Sequence, residues 1–557
     1  MCSCIHAPAE QNRRDACCRI INYFEMKRTS IISILAGAAI CAGAQMPREF
    51  TPDQKLRYAE AVIENFYVED VNADSIVDEG IIAMLKTLDP HSSYTNKQET
   101  TELTEPLNGK FSGIGIQFNM STDTVCVVQT ISGGPSQRVG ILPGDRIISA
   151  DDSIIAGRKL PNSAILKTLR GEKGSKVRLK VKRGASDELI DFVVTRDEIP
   201  IHSVDAAYMV TPEVGYISLS RFAEESGKEV AEAIMKLKKL GMQKLILDLE
   251  GNGGGYMQPA VEIASQLLAN GSPVVFTKGR RTDPQYFNAE NRRPLFDGPV
   301  VVMVDQYSAS ASEILSGALQ DNDRGIVVGR RTFGKGLVQR PFPFPDGSMI
   351  RLTISRYYTP TGRSIQKHYE KGKGEEYYLD MLNRYESGEL MSIDSIHLDK
   401  SHPYKTLRSG RTVYGGGGIM PDVFVPVDTT YNSKYYRDLV AKGAIQKYTF
   451  DFCDHNRADM LQRYPTEDAF FAPEGGFDVS PEMISALVAV GEKDGVEPNP
   501  EQLDRSLPII KAVIRGLIAR DIYENGTYVR ATNSLNPVFI EALGIITDPD
   551  RYSSLLN

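Results

Sequence analysis

Two short runs constrain this chain more than anything else in it. Residues 244–249 (KLILDL) and 299–305 (PVVVMVD) are apolar without the alternation of a strand that keeps one face wet. Strands buried on both faces read this way, and they belong to parallel sheets covered by helices. Each run is followed by glycine- or serine-rich sequence and then by a helical pattern, MQPAVEIASQLLANG ending at Gly271 and SASEILSGALQDN. GIVVG and LVQRPF read as further strands. The alternation predicts an α/β region over residues 196–430 with a largely parallel sheet.

A chain of 557 residues is too long for one core, so several domains are expected. An N-terminal helical region is expected over residues 45–105, with helical periodicity over 52–88 (Leu56, Ala59, Val62, Ile63 and Phe66, then Ile76, Ile81, Ile82, Met84 and Leu85), broken at Asp89-Pro90. Residues 431–557 are again mostly helical, with runs such as MISALVAV and SLPIIKAVIRGLIA and no catalytic constellation. Apolar residues at 41% and charged residues at 24% are ordinary for a globular protein, and a net charge of −8 leaves no electrostatic footprint for nucleic acid.

From Met26 the chain reads MKRTSIISILAGAAICAGAQ: two cations, about twelve apolar residues, then Ala42-Gly43-Ala44. That is the layout of a secretory signal peptide, and the stretch is shorter than the roughly 20 residues a membrane span needs. The expectation is export to the periplasm or cell envelope, with residues 1–44 as leader and residues 1–25 preceding the true start. A short membrane anchor stays open, and with it a peripheral membrane association. Cys41 suggests a lipoprotein, but Ile40 is bulky where such sites want a small residue. Five of seven cysteines fall in the leader; Cys126 and Cys453 remain, enough for one bridge but not for a disulfide framework or a CxxC metal site. No metal and no cofactor are expected.

Over residues 106–195 the texture changes to short strands and turns: GIGIQF, VCVVQTI, GDRIISAD, KVRLKVKR and LIDFVVTRD, with PSQRVG and NSAILKTLRG as helices. The GIGI loop and the run GILPGDRI resemble a PDZ domain, a small partly open barrel. Such a domain takes an extended peptide onto a sheet edge, its loop amides holding the terminal carboxylate. The resemblance gives that role to Gly113, Ile114, Gly115 and Ile116; as bare sequence these glycines could equally make a turn.

Three segments could carry chemistry. Asp248-Leu249-Glu250-Gly251-Asn252-Gly253-Gly254-Gly255 joins a strand to a helix, but Tyr256 stands where a dinucleotide fingerprint needs glycine, so a nucleotide is not expected. Amides exposed at such a turn favour an anion, including the oxyanion of acyl transfer. Ser310-x-x-Glu313 is a capping-box pattern; it is also a hydroxyl between small residues at a helix start. Lys335 sits between two glycines, either a surface-turn lysine or, if desolvated, a neutral amine able to take a proton from a serine, with Gln339 in reach to orient it. None of the seven histidines falls in these loops.

Together SASASEI, TFGKGLVQ with its lysine 25 residues after Ser310, LDPHSSYT, TPTGRSIQ and GGGGIMPD resemble the carboxyl-terminal processing peptidases, or tail-specific proteases, over residues 50–430. The resemblance implies a multidomain α/β protein with the PDZ-like barrel before a crotonase- or ClpP-like peptidase core and helical regions at both ends. It implies a serine endopeptidase with Ser310 as nucleophile, Lys335 as base, Gln339 positioning Lys335, and the amides of Ala311 and Gly254 as oxyanion hole. Substrates would be protein C-terminal tails; self-association is open. Glu250 and Gly253 depart from the Arg and Pro common in the family. His91 reads as structural, and residues 415–418 as a close backbone approach. The rival reading is a catalytically inactive PDZ scaffold or chaperone that binds peptide C-termini.

Overall fold

The computed structural model describes residues 50–557 except 121–122, 132, 185, 187, 398–402 and 525. The expected leader lies outside the described residues. The chain divides into two compact units, Met1–Ile81 and Ile82–Asn557. Within the first, Pro52 at the first turn opens α1 (Pro52–Phe66). Its apolar positions Leu56, Val62, Ile63 and Phe66 are exposed. The next helix, α2 (Ala73–Lys86), ends just before Asp89-Pro90.

The second unit begins with the expected barrel. Strands β1 (Ile116–Asn119), β2 (Val125–Thr130), β3 (Arg146–Ala150), β4 (Lys176–Lys182) and β5 (Leu189–Thr195) pair in that order, all antiparallel. Helix α3 (Asn162–Leu169) inserts Ile165 and Leu169 into the core, where alternate β4 residues Val177, Leu179 and Val181 meet them. The order leaves β1 at an open edge.

The core sheet runs β6 (Val204–Met209), β7 (Val214–Leu219), β8 (Lys244–Asp248), β9 (Val300–Val304), β10 (Ile326–Gly329) and β11 (Val423–Phe424). It is parallel throughout except at β6. The two apolar runs are the central strands β8 and β9, and their residues divide by parity. Leu245, Leu247, Val300, Val302 and Val304 face the helices that connect the strands, α4 (Ser226–Lys239), α5 (Met257–Leu267) and α6 (Ala311–Asp321). Ile246, Val301 and Met303 face the opposite way, onto Val538, Phe539, Ala542 and Ile545. These last belong to α7 (Pro537–Thr547), so the chain's own C-terminal region covers the second face. A second, antiparallel sheet brings strand Leu337–Pro343 onto strand Met349–Tyr358.

The helices between residues 434 and 523 have a core of their own, with Leu439, Ile445, Phe470, Leu487, Ile514 and Ile518 at its centre. This bundle grips the barrel. Arg146 on β3 pairs with Asp454 at 2.5 Å, Gln129 Nε2 on β2 donates to the carbonyls of Arg520 (3.1 Å) and Tyr523 (2.6 Å), and Phe450 packs on Val128 and Cys126. Cys126 and Cys453 are both buried and neither is in a disulfide, so the bridge that the sequence left open is not formed.

Candidate active site

Ser310 is held at φ 58° and ψ −111°, a conformation that costs an L-residue on the order of 1–3 kcal/mol. It is the residue from which α6 springs, and its hydroxyl makes no cap bond to the helix. The bond of the capping pattern that forms within hydrogen-bond geometry is the one from the Ser310 amide to the Glu313 carboxylate, at 2.8 Å. Strain of this kind, at a strand-to-helix turn, lifts a nucleophile clear of its sheet.

Glu313 does more than the capping pattern discloses. Fully buried, it accepts from Thr332 Oγ1 (2.6 Å), the Gly334 amide (2.7 Å) and the Lys335 amide (2.8 Å) as well. One carboxylate therefore ties the serine turn to the lysine turn. Burial pushes its pKa up to about 7 against the pull of these donors. Tyr357 forms the second tie, its hydroxyl lying against the carbonyls of both Ser310 (3.1 Å) and Lys335.

Ser310 and Lys335 line one cavity of about 520 Å³ together with Gly253, Gly254, Gly255, Ala311 and Gln339. Much of its remaining wall is apolar, with Leu103, Leu107, Met257, Ile314, Leu337 and Met349, and two arginines, Arg221 and Arg351, also line it. Lys335 is lowered from its ordinary value to about 8, chiefly by desolvation and next by the nearby Arg351 cation. No histidine lines the cavity.

The glycine loop packs closely on this turn. A Cβ at Gly254, where φ is 95°, would lie 2.6 Å from the Ala309 carbonyl and 2.8 Å from Ser310 Cβ, so glycine is required there. Buried Asn252 staples the two: its carbonyl accepts from the Ala309 amide (3.0 Å) and Ser312 Oγ (2.8 Å). Two expectations need correction. The Gly254 amide donates to Asn252 Oδ1 at 2.9 Å, so it is not the free oxyanion donor expected of it. Gln339 does not bond the Lys335 amine either; its Nε2 donates to Leu337 O (3.1 Å) and Thr353 Oγ1 (3.3 Å). A register shift between Val338 and Gln339 accompanies this turn of the side chain toward the neighbouring strand.

Similarity settles the family. Residues 213–372 match peptidase family S41 and residues 112–195 a PDZ domain; residues 435–524 match a family of unknown function. The carboxy-terminal processing protease CtpB of Bacillus subtilis (strain 168) is 36% identical over 351 residues, 62% of this chain and 71% of that one. The chain belongs to the carboxy-terminal processing proteases. A protein described as "Probable CtpA-like serine protease" from Staphylococcus aureus (strain N315) is 33% identical over 58% of this chain and 63% of its own. A solved photosystem II D1 C-terminal processing protease aligns at 27% identity over 57% of this chain and 91% of that chain, with a TM-score of 0.32, too low to bear on the fold. The chain is thus a serine-type peptidase with a PDZ domain ahead of an α/β core and helices after it.

In this processing protease Gly113, Ile114, Gly115 and Ile116 lie at the head of the open edge strand β1. Ile114 is buried, its carbonyl taking both the amide and the hydroxyl of Ser136 (3.0 and 2.7 Å), and Gly115 has φ 75°. His91 is buried with Nε2 2.9 Å from the Tyr377 hydroxyl, and burial holds its pKa down at about 3, which fits a neutral structural ring. The 415–418 run is a close approach, as expected: a Cβ at Gly418 would lie 2.5 Å from the Thr332 carbonyl.

Behind the glycine loop lies a different chemistry. Tyr216 donates to Asp248, Asn536 Nδ2 to Glu250 Oε2 at 2.7 Å, and Arg330 approaches Glu250 at 3.5 Å. Burial raises the pKa of both carboxyls, aided at Glu250 by the charge of Asp248 and at Asp248 by that of Asp305. Glu250, the departure from the family's arginine, is therefore met by a residue of the C-terminal region.

Proposed function

We propose that this protein is an exported endopeptidase that cuts protein substrates near their C-terminal tails with a Ser310–Lys335 dyad. The observation that carries the reading is a strained serine, its hydroxyl making no cap hydrogen bond, that lines one cavity with a lysine whose ammonium is destabilised by burial. Neutral Lys335 takes the Ser310 proton as Ser310 attacks the peptide carbonyl, then returns a proton to the leaving amine. The Ala311 amide, first in α6, is an orphan donor at a positive helix end and serves the oxyanion. Its partner comes from another amide of the 253–255 stretch. Gln339 supports the lysine side of the cleft through Thr353, which in turn donates to Asp89 at 3.0 Å.

Tail recognition falls to the PDZ domain, where an apolar C-terminus adds to the edge of β1 and its carboxylate meets the 113–116 amides. Export rests on the leader pattern at residues 26–44. The test is cleavage of an apolar-tailed protein by the full chain. Cleavage abolished in both Ser310→Ala and Lys335→Ala supports the dyad; cleavage that persists in either refutes it. An unchanged tail affinity with no cleavage by the wild type would leave a PDZ scaffold.

A further inference from the structure

The residues lining the catalytic cavity include three cations, Arg221, Lys335 and Arg351, and no carboxylate, although the chain as a whole carries a net charge of −8. Arg221 has Asp205 within electrostatic reach. Lys335 is the proposed base. Arg351 is different. It sits on the strand Met349–Tyr358, its Nε is sealed from solvent with no hydrogen-bond partner, and among the described residues its guanidinium has no ion-pair partner. The group that favours its charge from within electrostatic reach is a phenol, Tyr378, whose hydroxyl already donates to the Pro90 carbonyl at 2.6 Å. A guanidinium half-withdrawn from water with an orphaned donor is costly to keep, and a carboxylate is the acceptor whose geometry it fits.

We propose that Arg351 is a specificity-determining residue that gives the catalytic cleft a carboxylate-binding subsite, so that good substrates carry an anionic group close to the bond that is cut. The subsite rests on the peptidase reading of the same cavity and adds to it a substrate class: an apolar peptide with one carboxylate, which apolar walls and a single unneutralised cation select together. That carboxylate is either the chain terminus itself or an Asp or Glu side chain. Lys335 gains from the same cation, since Arg351 is the largest charge opposing its protonation, and a bound carboxylate would relax that opposition. A ligand neutralising Arg351 therefore acts on the base as well as on affinity.

The experiment uses the full-length mature protein and quenched fluorescent peptides in two series. One compares a free C-terminal carboxylate with its amide. The other keeps the end amidated and places Glu or Gln at successive positions around the cleaved bond. Because Arg351→Gln also moves the pKa of Lys335, the quantity read is the ratio of kcat/KM within each pair at one pH, from which that change cancels. The wild type is expected to prefer the carboxylate member of one series by about tenfold. Arg351→Gln should lose that preference and Arg351→Lys should keep part of it; the series that responds identifies the source. A preference that survives unchanged in Arg351→Gln belongs to the PDZ domain and overturns the subsite, as does equal cleavage of both members in both series. The same pairs are titrated against Ser310→Ala protein with and without Arg351→Gln. Carboxylate-dependent affinity that requires Arg351 upholds the subsite even if no peptide is ever cut, in which case the dyad alone fails.

Discussion

The glycine loop 251–255 separates two buried electrostatic environments of opposite sign. On the cleft side Lys335 and Arg351 lie close together with no carboxylate lining the cavity. On the underside Asp248 and Glu250 crowd near Asp305, relieved by Arg330, Tyr216 and Asn536. Burial drives both sets toward neutrality, lowering the lysine and raising the acids. The same force makes an amine easier to deprotonate on one side and two carboxyls harder to ionise on the other. What decides the outcome is which side a peptide can reach.

The largest way to break this comparison is to remove either member of the proposed dyad. Ser310→Ala and Lys335→Ala should each lower kcat/KM by roughly a thousandfold or more, measured on an apolar-tailed substrate. In the intact enzyme kcat/KM should rise with pH through about 8 and then level, as neutral Lys335 accumulates. A bell centred near 6.5 would point to a histidine instead.

Removing the tie between the two turns comes next. Glu313→Ala leaves four donors in a dry site without an acceptor, so a loss of about 3 kcal/mol or more is expected in denaturant unfolding. Activity should fall beyond what the lost folded fraction explains, because the serine and lysine turns are no longer held to each other.

Lys335→Met should do the reverse to stability. A lysine depressed from 10.5 to about 8 binds fewer protons folded than unfolded between those values. Its burial therefore costs stability in full below pH 8, on the order of 3 kcal/mol, and that cost fades as pH rises toward 10.5. An inactive but more stable protein at pH 7 is the expected outcome.

On the underside the slope has the opposite sign. A carboxyl raised when folded binds more protons than when unfolded, so its burial costs nothing at low pH and more as pH climbs above the ordinary carboxylate range. Glu250→Gln should be near neutral at pH 5 and stabilising by pH 9. Asn536→Ala should cost about 1 kcal/mol, the smallest effect here, and part of it should persist in the Glu250→Gln background, because Asn536 Oδ1 also caps α7 by accepting from the Val538 amide at 2.9 Å. Equal pH slopes for the lysine and glutamate variants would dissolve the contrast.

Much of this was legible before any coordinates. The runs at 244–249 and 299–305 announce strands buried on both faces because neither alternates, and the serine and lysine turns announce themselves through small flanking residues. Glu313 was visible only as a cap, since its bonds to Thr332, Gly334 and Lys335 cross some twenty residues that no local pattern connects. Tyr357 and Arg351 were hidden for the same reason, lying on a strand of a different sheet. The assignment of Gly254 as a free donor went astray because Asn252, two residues earlier, competes for its amide. Nor could composition show that the helical C-terminal region splits between a core of its own and the second face of the central sheet.

That division has a consequence for when the enzyme comes into being. Strands β8 and β9 are completed on one side by helices made alongside them, but on the other only by residues 537–547, more than 230 positions later. Contacts so distant form slowly and last. Until residues 537–547 have been made, the central sheet has one face clad and the other bare.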